Sequence, residues 1–551
     1  MLVLIARLRT LPPAVKGLAF TLLPLAYYLL DKLNYSQAGL AAVLGFFVVT
    51  TLFYWRELVP SRRRLFNTLL GAAITILLLN MAFQATLRDA FGVQQEDVIV
   101  IQAIFSTDVA ESSEFFIQYA RYILLNVVLF LVFLGLYWSL FVAAVGPSVS
   151  TPQKRRRYWI AGLVTFLLFA IHLNPTLRKS NPLFYFPENY MRWQADLEQA
   201  KQLYARLEAT SNDEKLNAMT LAQPVGQRTV VVVFGESDTR NNWSLYGYGR
   251  PTTPQLEQVA GLLAFDDVVA ADASTIGSMT RMLTPATVEA GELWKEKPSV
   301  VVMAQRAGYK VFWVTNQGSK GRGIVSILAG QADEAVFTNK GGSRLEGTLD
   351  EAVLAPYRAA LNDPAGKKLI FVHILGSHPS YNYRYPDSHA LFEGRFDDEV
   401  AQALKSQGRS LWEITFRNMY DSAIHYQDYI LSQLVSALAA RPQESAVWLY
   451  VSDHGQDVAH NSDFSGHNRR ARQMWEVPFL LWRSERYELP VTDLEALRHR
   501  PYQADDMDHT ILGLLGVEGG YYDAGLDLLS AHYDAERNFP RHLAGSGLDY
   551  R

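Results

Sequence analysis

The stretch Thr229-Val-Val-Val-Val-Phe234 runs directly into Gly235-Glu236-Ser237, and Ala446-Val-Trp-Leu-Tyr-Val451 runs the same way into Ser452-Asp453-His454-Gly455. Continuous apolar runs of this length belong to strands covered on both faces, since a half-exposed strand would alternate apolar with polar. Two more runs follow the pattern. Tyr309 to Val314 leads to Asn316, Gln317 and Lys320, and Lys368 to Leu375 leads to Ser377 and His378. The expected fold of this part is α/β, a mostly parallel sheet between helices. Ligands of such sheets bind beyond the carboxyl ends of the strands, so the four polar strand ends should converge on one cleft.

Zinc accepts carboxylate oxygen and imidazole nitrogen and can keep a position open for catalysis, which makes Glu236, Asp453 and His454 candidate metal ligands. A lone Asp-His-Gly is more often a polar turn, but four such strand ends in one chain favour a site. The chain has no cysteine, so thiolate ligands, thiol nucleophiles and disulfides are excluded. The segment Ala273-Ser274-Thr275-Ile276-Gly277-Ser278-Met279-Thr280-Arg281 offers four hydroxyls ahead of an apolar helical pattern, Met282 to Val288. Free amides at a helix N-terminus suit a phosphate. Ser274 or Thr275 as a plain helix cap is the simpler reading, and the residues alone do not choose a nucleophile.

The first third of the 551 residues is different. The chain is 49% apolar and 19% charged, with a net charge of −4, unusually apolar for a soluble protein. No basic block joins aromatic residues, so nucleic acid is not an expected partner. Five apolar stretches, near Leu11 to Leu30, Ser36 to Trp55, Leu65 to Gln84, Tyr122 to Val145 and Tyr158 to Leu173, approach the ~20 residues that a membrane-spanning helix needs. The last is short and leans on Tyr158, Trp159 and His172 at the interfaces. Arg7, Arg9 and Lys16, then Arg56 and Arg62 to Arg64, then Lys154 to Arg157 fall on one side, and the alternate loops are poor in Lys and Arg. The positive-inside rule then places the N-terminus in the cytoplasm and everything after Leu173 outside it. The expected organisation is a five-helix transmembrane domain over 1–173, a linker with a bridging helix over 174–228 and a metal-dependent catalytic domain over 229–551.

The motifs Gly235-Glu236-Ser237, Asn241 to Tyr248, Thr252-Thr253-Pro254, Ser274-Thr275, Trp313 to Lys320, Gly376-Ser377-His378, Ser452 to Gly455 and Gly466-His467, taken with the five spans, resemble phosphoethanolamine transferases. These enzymes modify lipid A and the lipopolysaccharide core and include the mobile colistin-resistance enzymes. The resemblance implies an alkaline-phosphatase or sulfatase-like catalytic domain in the periplasm, an inner-membrane anchor and a link to polymyxin resistance. It implies a zinc site of Glu236, Thr275, Asp453 and His454, with one tightly bound Zn2+ and room for a second. Thr275 would become modified by phosphoethanolamine. Asn316, Lys320, His378 and His467 match positions that contact the substrate phosphate or a second metal. Thr107 and Glu111, between the third and fourth spans, match residues near the lipid headgroup.

The implied reaction takes phosphoethanolamine from phosphatidylethanolamine, releases diacylglycerol and delivers the group to lipid A, a core sugar or another periplasmic glycan. His378 or His467 is suited to proton transfer near pH 7. Three departures stand out: no disulfides, Pro379 directly after His378, and an extra imidazole, His460, near Asp457. The basic residues Arg469, Arg470 and Arg472 read as a solvated face or as partners of an acidic lipid. A sulfatase activity is disfavoured, since neither Ser274 nor Ser278 is followed by the Pro and Arg of the sulfatase pattern. The main alternative is a phosphoglycerol transferase resembling lipoteichoic acid synthase. A scaffold without chemistry is poorly served by four intact site residues.

Overall fold

The structure is a computed structural model and describes residues 12–91, 116, 119–138, 151–174, 178, 181–209, 213–221, 226–291, 293–317, 323–339, 349–538, 541, 543 and 546–548. They fall into two compact units that divide within one helix, at Trp193 and Gln194.

The first unit is helical. Among the described residues four helices are long and apolar enough to cross a membrane: α3 (Tyr35–Leu58), α4 (Arg63–Phe91), α5 (Ala120–Tyr137) and α6 (Thr151–Leu173). The first expected span is instead two eight-residue helices, α1 (Pro13–Phe20) and α2 (Leu22–Leu29). The cause is Pro24, which has no N–H to offer the Phe20 carbonyl. The chain tightens there, with both the amide and the hydroxyl of Thr21 turning back to the Leu18 carbonyl. A capping box starts α3: Asn34 Oδ1 accepts from the Gln37 amide at 2.8 Å, and Gln37 Oε1 accepts from the Asn34 amide at 3.1 Å. The basic run Lys154 to Arg157 is itself helical, so α6 is longer than its apolar part. The helix α7 (Pro182–Ala209) starts well before the expected Tyr190, because Asn181 caps it through the Leu183 amide and Pro182 takes the first helical position.

The second unit is built on a seven-stranded sheet: β1 (Arg228–Gly235), β2 (Leu263–Phe265), β3 (Lys310–Thr315), β4 (Glu334–Phe337), β5 (Lys367–His373), β6 (Ser445–Ser452) and β7 (Phe479–Arg483), in the spatial order β2-β7-β6-β1-β5-β3-β4. The sheet is mixed. From β6 to β4 the neighbours run parallel, whereas β7 pairs antiparallel with both β6 and β2. The Val run of β1 serves two cores by its period of two. Val230, Val232 and Phe234 join Trp313, Phe371 and Leu449 on one face, and Val231 and Val233 join Ile370, Trp448 and Tyr450 on the other. The second face is closed by the long helix α9 (Leu411–Ala439), capped by Ser410. In register, Gly235 pairs with Ser452 and Phe234 with both Val451 and His373, so β1, β5 and β6 deliver the residues that follow them to one edge.

Candidate active site

Glu236 leaves the end of β1, and Asp453 and His454 leave the end of the adjacent β6. All three are at most 1% exposed. Each offers a donor atom within 4.8 Å of the others. His454 Nε2 lies 3.4 Å from Glu236 Oε1 and 3.6 Å from Asp453 Oδ2. Thr275 is the first residue of α8 (Thr275–Leu283), whose cap Ser274 reaches the Gly277 amide. Its hydroxyl stands 3.0 and 3.1 Å from the two Glu236 oxygens and 3.4 Å from His454 Nε2. The four residues expected at the metal site therefore meet at one point.

The remaining contacts orient these groups. His454 Nδ1 lies 2.8 Å from the Gly455 carbonyl. A proton there turns the lone pair of Nε2 toward the carboxylates. Asp453 Oδ1 accepts from the amides of Ser237 and His454, while Asp453 Oδ2 is buried and has no hydrogen-bond partner among the described residues. A buried carboxylate oxygen left bare is costly unless a cation takes it. Burial and the neighbouring Glu236 push Asp453 well above the usual carboxylate range. Burial also works against a charge on His454, but Asp453 and Glu236 outweigh it and carry the imidazole up to about 10. Glu236 is held low by His454 in spite of its burial. Two buried carboxylates, an aimed imidazole and a hydroxyl form a donor set that fits a divalent cation such as zinc.

His467 follows the short strand Ser465–Gly466, and its ring centroid is 4.9 Å from that of His454. His378 follows Ser377 on the loop after β5, close enough for its charge state to act on Glu236. Burial carries His378 down to about 4 and His467 well below its ordinary value, so both rings are neutral at pH 7. Asn316 is drawn elsewhere. Its amide donates to Asp350 Oδ1 at 2.9 Å and its carbonyl accepts from Thr338 at 2.8 Å, and Asp350 in turn accepts from the amides of Leu375 and Gly376. Asn316 thus braces the loop that carries His378. Lys320, Thr107 and Glu111 lie outside the described residues.

His460 is structural: Val458 N–H donates to its Nδ1, and its Nε2 meets Asn242 Oδ1 at 2.8 Å. Arg469 is not on a solvated face but pairs with buried Asp272 at 2.9 Å, alongside Arg281, whereas Arg470 and Arg472 are exposed. Sequence reasoning missed Asp272, Asp350 and Asp238 as supporting carboxylates. Asp238 directly follows Ser237 and Asp272 directly precedes Ala273, so both adjoined segments already singled out, whereas Asp350 did not.

A model of the sulfatase family matches residues 228–517, more than half of the chain. The chain belongs to the sulfatase family. Within this family its likeness is to phosphoethanolamine transferases. It is 35% identical to phosphoethanolamine transferase EptC of Escherichia coli (strain K12) over 308 residues, 54% of this chain and 52% of that protein. It is 33% identical to CptA of Salmonella typhimurium over 339 residues, 58% and 57% of the two chains. The chain thus spans about half the length of these curated relatives. The crystal structure of the C-terminal periplasmic domain of Escherichia coli EptC, in complex with Zn, superimposes with a TM-score of 0.53 at 32% identity, covering 57% of this chain and 89% of that one. The integral membrane lipooligosaccharide phosphoethanolamine transferase A of Neisseria meningitidis, at 19% identity, shares the fold over 94% of this chain and 97% of its own, with a TM-score of 0.64. Sulfatase-family membership thus rests on the α/β unit, and the likeness to the membrane transferase extends to the apolar helices.

Proposed function

We propose that this chain is a zinc-dependent phosphoethanolamine transferase. It takes the group from phosphatidylethanolamine, holds it on Thr275, releases diacylglycerol and passes the group to a lipopolysaccharide acceptor, lipid A or a core sugar. The observation that carries the reading is the Thr275 hydroxyl within 3.4 Å of Glu236 and His454. The organisation that goes with it is a cytoplasmic N-terminus, a transmembrane domain over 1–173, a linker over 174–228 and a periplasmic catalytic domain over 229–551 in the inner membrane.

Glu236, Asp453, His454 and the Thr275 hydroxyl would hold one zinc ion, which when bound supplies the Lewis acidity that makes an alkoxide accessible near neutral pH. Thr275 Oγ1 forms the new bond to phosphorus while the bond from phosphorus to the glycerol oxygen breaks. A neutral imidazole must take a proton before it can give one. His378 or His467 therefore accepts the Thr275 proton and hands it to the departing diacylglycerol oxygen, and the second half-reaction reverses the order with the acceptor. By the resemblance, Lys320 would meet the charge that develops on the phosphoryl oxygens, and Thr107 and Glu111 would serve the donor headgroup. Relatives named as phosphoethanolamine transferases favour ethanolamine over the phosphoglycerol alternative.

The test is mass spectrometry of envelope glycolipids from cells with and without the chain. A phosphoethanolamine mass increment that depends on the chain is expected. A phosphoglycerol increment, or none, would remove the proposed activity.

A further inference from the structure

Behind Glu236 lies another carboxylate, Asp238, which is 0% exposed and is not one of the candidate ligands. Its Oδ1 accepts from the Ser377 hydroxyl at 2.6 Å. Its Oδ2 accepts from Gln427 Nε2 at 2.6 Å and from the Tyr450 hydroxyl at 2.5 Å. These partners come from three places. Tyr450 lies on β6, which ends in Asp453 and His454, Gln427 lies on α9, and Ser377 directly precedes His378.

The contact between the two loops goes beyond one side chain. The Ser377 amide donates to the Glu236 carbonyl at 3.0 Å, and its hydroxyl lies 3.0 Å from the Ser237 carbonyl. Gly376 has φ +51, and a Cβ there would stand 2.9 Å from the Glu236 carbonyl oxygen and 3.0 Å from its nitrogen. Only a glycine lets the loop lie this close. Ser237 is a non-glycine residue at φ +63, a strained conformation that persists only where its surroundings over-determine it. Tyr420 adds to that constraint by donating to the Ser237 carbonyl at 2.7 Å and accepting from the Thr239 amide at 2.9 Å.

We propose that Asp238 is a positioning residue that acts through Ser377 to lock the turn bearing Glu236 to the loop bearing His378, so that ligand and imidazole keep one fixed relation. This rests on the function proposed above. The lock needs an acceptor facing Tyr450 and Gln427 and a partner for the Ser377 hydroxyl, but it does not need a charge. A carboxamide meets both demands with its carbonyl toward Tyr450 and its NH2 toward Ser377, whose proton then turns to the Ser237 carbonyl. An alanine meets neither.

The experiment compares Ser377→Ala, Asp238→Ala and Asp238→Asn with the unaltered full chain in detergent. It measures amide hydrogen exchange over 235–241 and 374–380 in the metal-free chain, zinc content after reconstitution, and kcat and KM for phosphatidylethanolamine. Ser377→Ala is expected to speed exchange over 235–241, the other loop, by about fivefold or more. Ser377→Ala and Asp238→Ala are expected to lower kcat by about ten- to a hundredfold, with KM held within about twofold. Asp238→Asn should return both readouts to near the unaltered chain. Exchange over 235–241 that ignores Ser377→Ala, or an Asn as damaging as the Ala, overturns the lock. Should the unaltered chain turn over no phosphatidylethanolamine, the transferase reading fails, and the exchange measurements still decide the coupling.

Discussion

The Thr275 hydroxyl lies almost equidistant from both carboxylate oxygens of Glu236, at 3.0 and 3.1 Å. One hydroxyl proton cannot satisfy both oxygens fully, so the oxygen of Thr275 is held in place by a group that has capacity left for a cation. Removing the hydroxyl separates the chemistry from the seat.

Thr275→Ala should abolish the covalent phosphoethanolamine adduct and lower turnover by about a thousandfold or more, while Thr275→Ser retains the adduct. Intact-protein mass spectrometry after incubation with phosphatidylethanolamine reads both outcomes. An adduct on the alanine variant would take the nucleophile role from Thr275.

Metal uptake should release protons. In the metal-free cluster Asp453 and His454 are both pushed upward, and a cation displaces the protons they retain. Titrating zinc into the stripped chain at pH 7 in weak buffer with an indicator dye should show about one to two protons released per chain. Asp453→Ala should release fewer and bind zinc more weakly. Zinc uptake without proton release would contradict the electrostatics of the cluster.

Gly455→Ala should disrupt the site from the backbone. A Cβ there would sit 1.9 Å from the Gln473 carbonyl oxygen, a clash with main chain that side-chain movement does not relieve. The expected cost is about 1–3 kcal/mol, together with displacement of His454 and loss of bound zinc. Thermal melting and metal analysis of the purified variant test this, and an unchanged zinc content would count against it.

Asn316→Ala should lower stability by about 1–2 kcal/mol, since Asp350 loses a buried donor, yet leave KM for the donor lipid unchanged. If Asn316 instead contacts the substrate phosphate, KM will rise, and steady-state kinetics separates the two.

Acid should destabilise the chain through His460. Burial carries this imidazole down to about 4, and its contacts to Val458 and Asn242 suit the neutral ring. The unfolded ring titrates near 6.5. Between those values the unfolded chain binds a proton that the folded chain refuses, so stability is whole above pH ~6.5, falls toward pH ~4 and then levels off. His460→Gln should show a shallower fall of the thermal midpoint across this window. Equal slopes would contradict the assignment.

The metal candidates were readable because each closes an apolar strand, and a strand end fixes where the next residues go. Thr275 was readable as a helix start, but its selection over Ser274, Ser278 and Thr280 depends on which hydroxyl faces Glu236, a contact across 39 positions. The bracing contact of Asn316 was not readable for a similar reason. Its partner Asp350 lies 34 residues on, beyond any local pattern. The broken first span was written locally in Pro24, whereas the antiparallel edge was not, because the apolar run of β7 carries no mark of direction.

Gly235 and Ser452 are partners in a parallel ladder, so Glu236 and Asp453 inherit their separation from main-chain hydrogen bonds and not from the side chains that surround them. The reactive centre is thereby insulated from the rim. Surface loops can be lengthened, shortened or recharged while the ladder holds the seat unchanged, and change at the rim and upkeep of the site become separate tasks for selection.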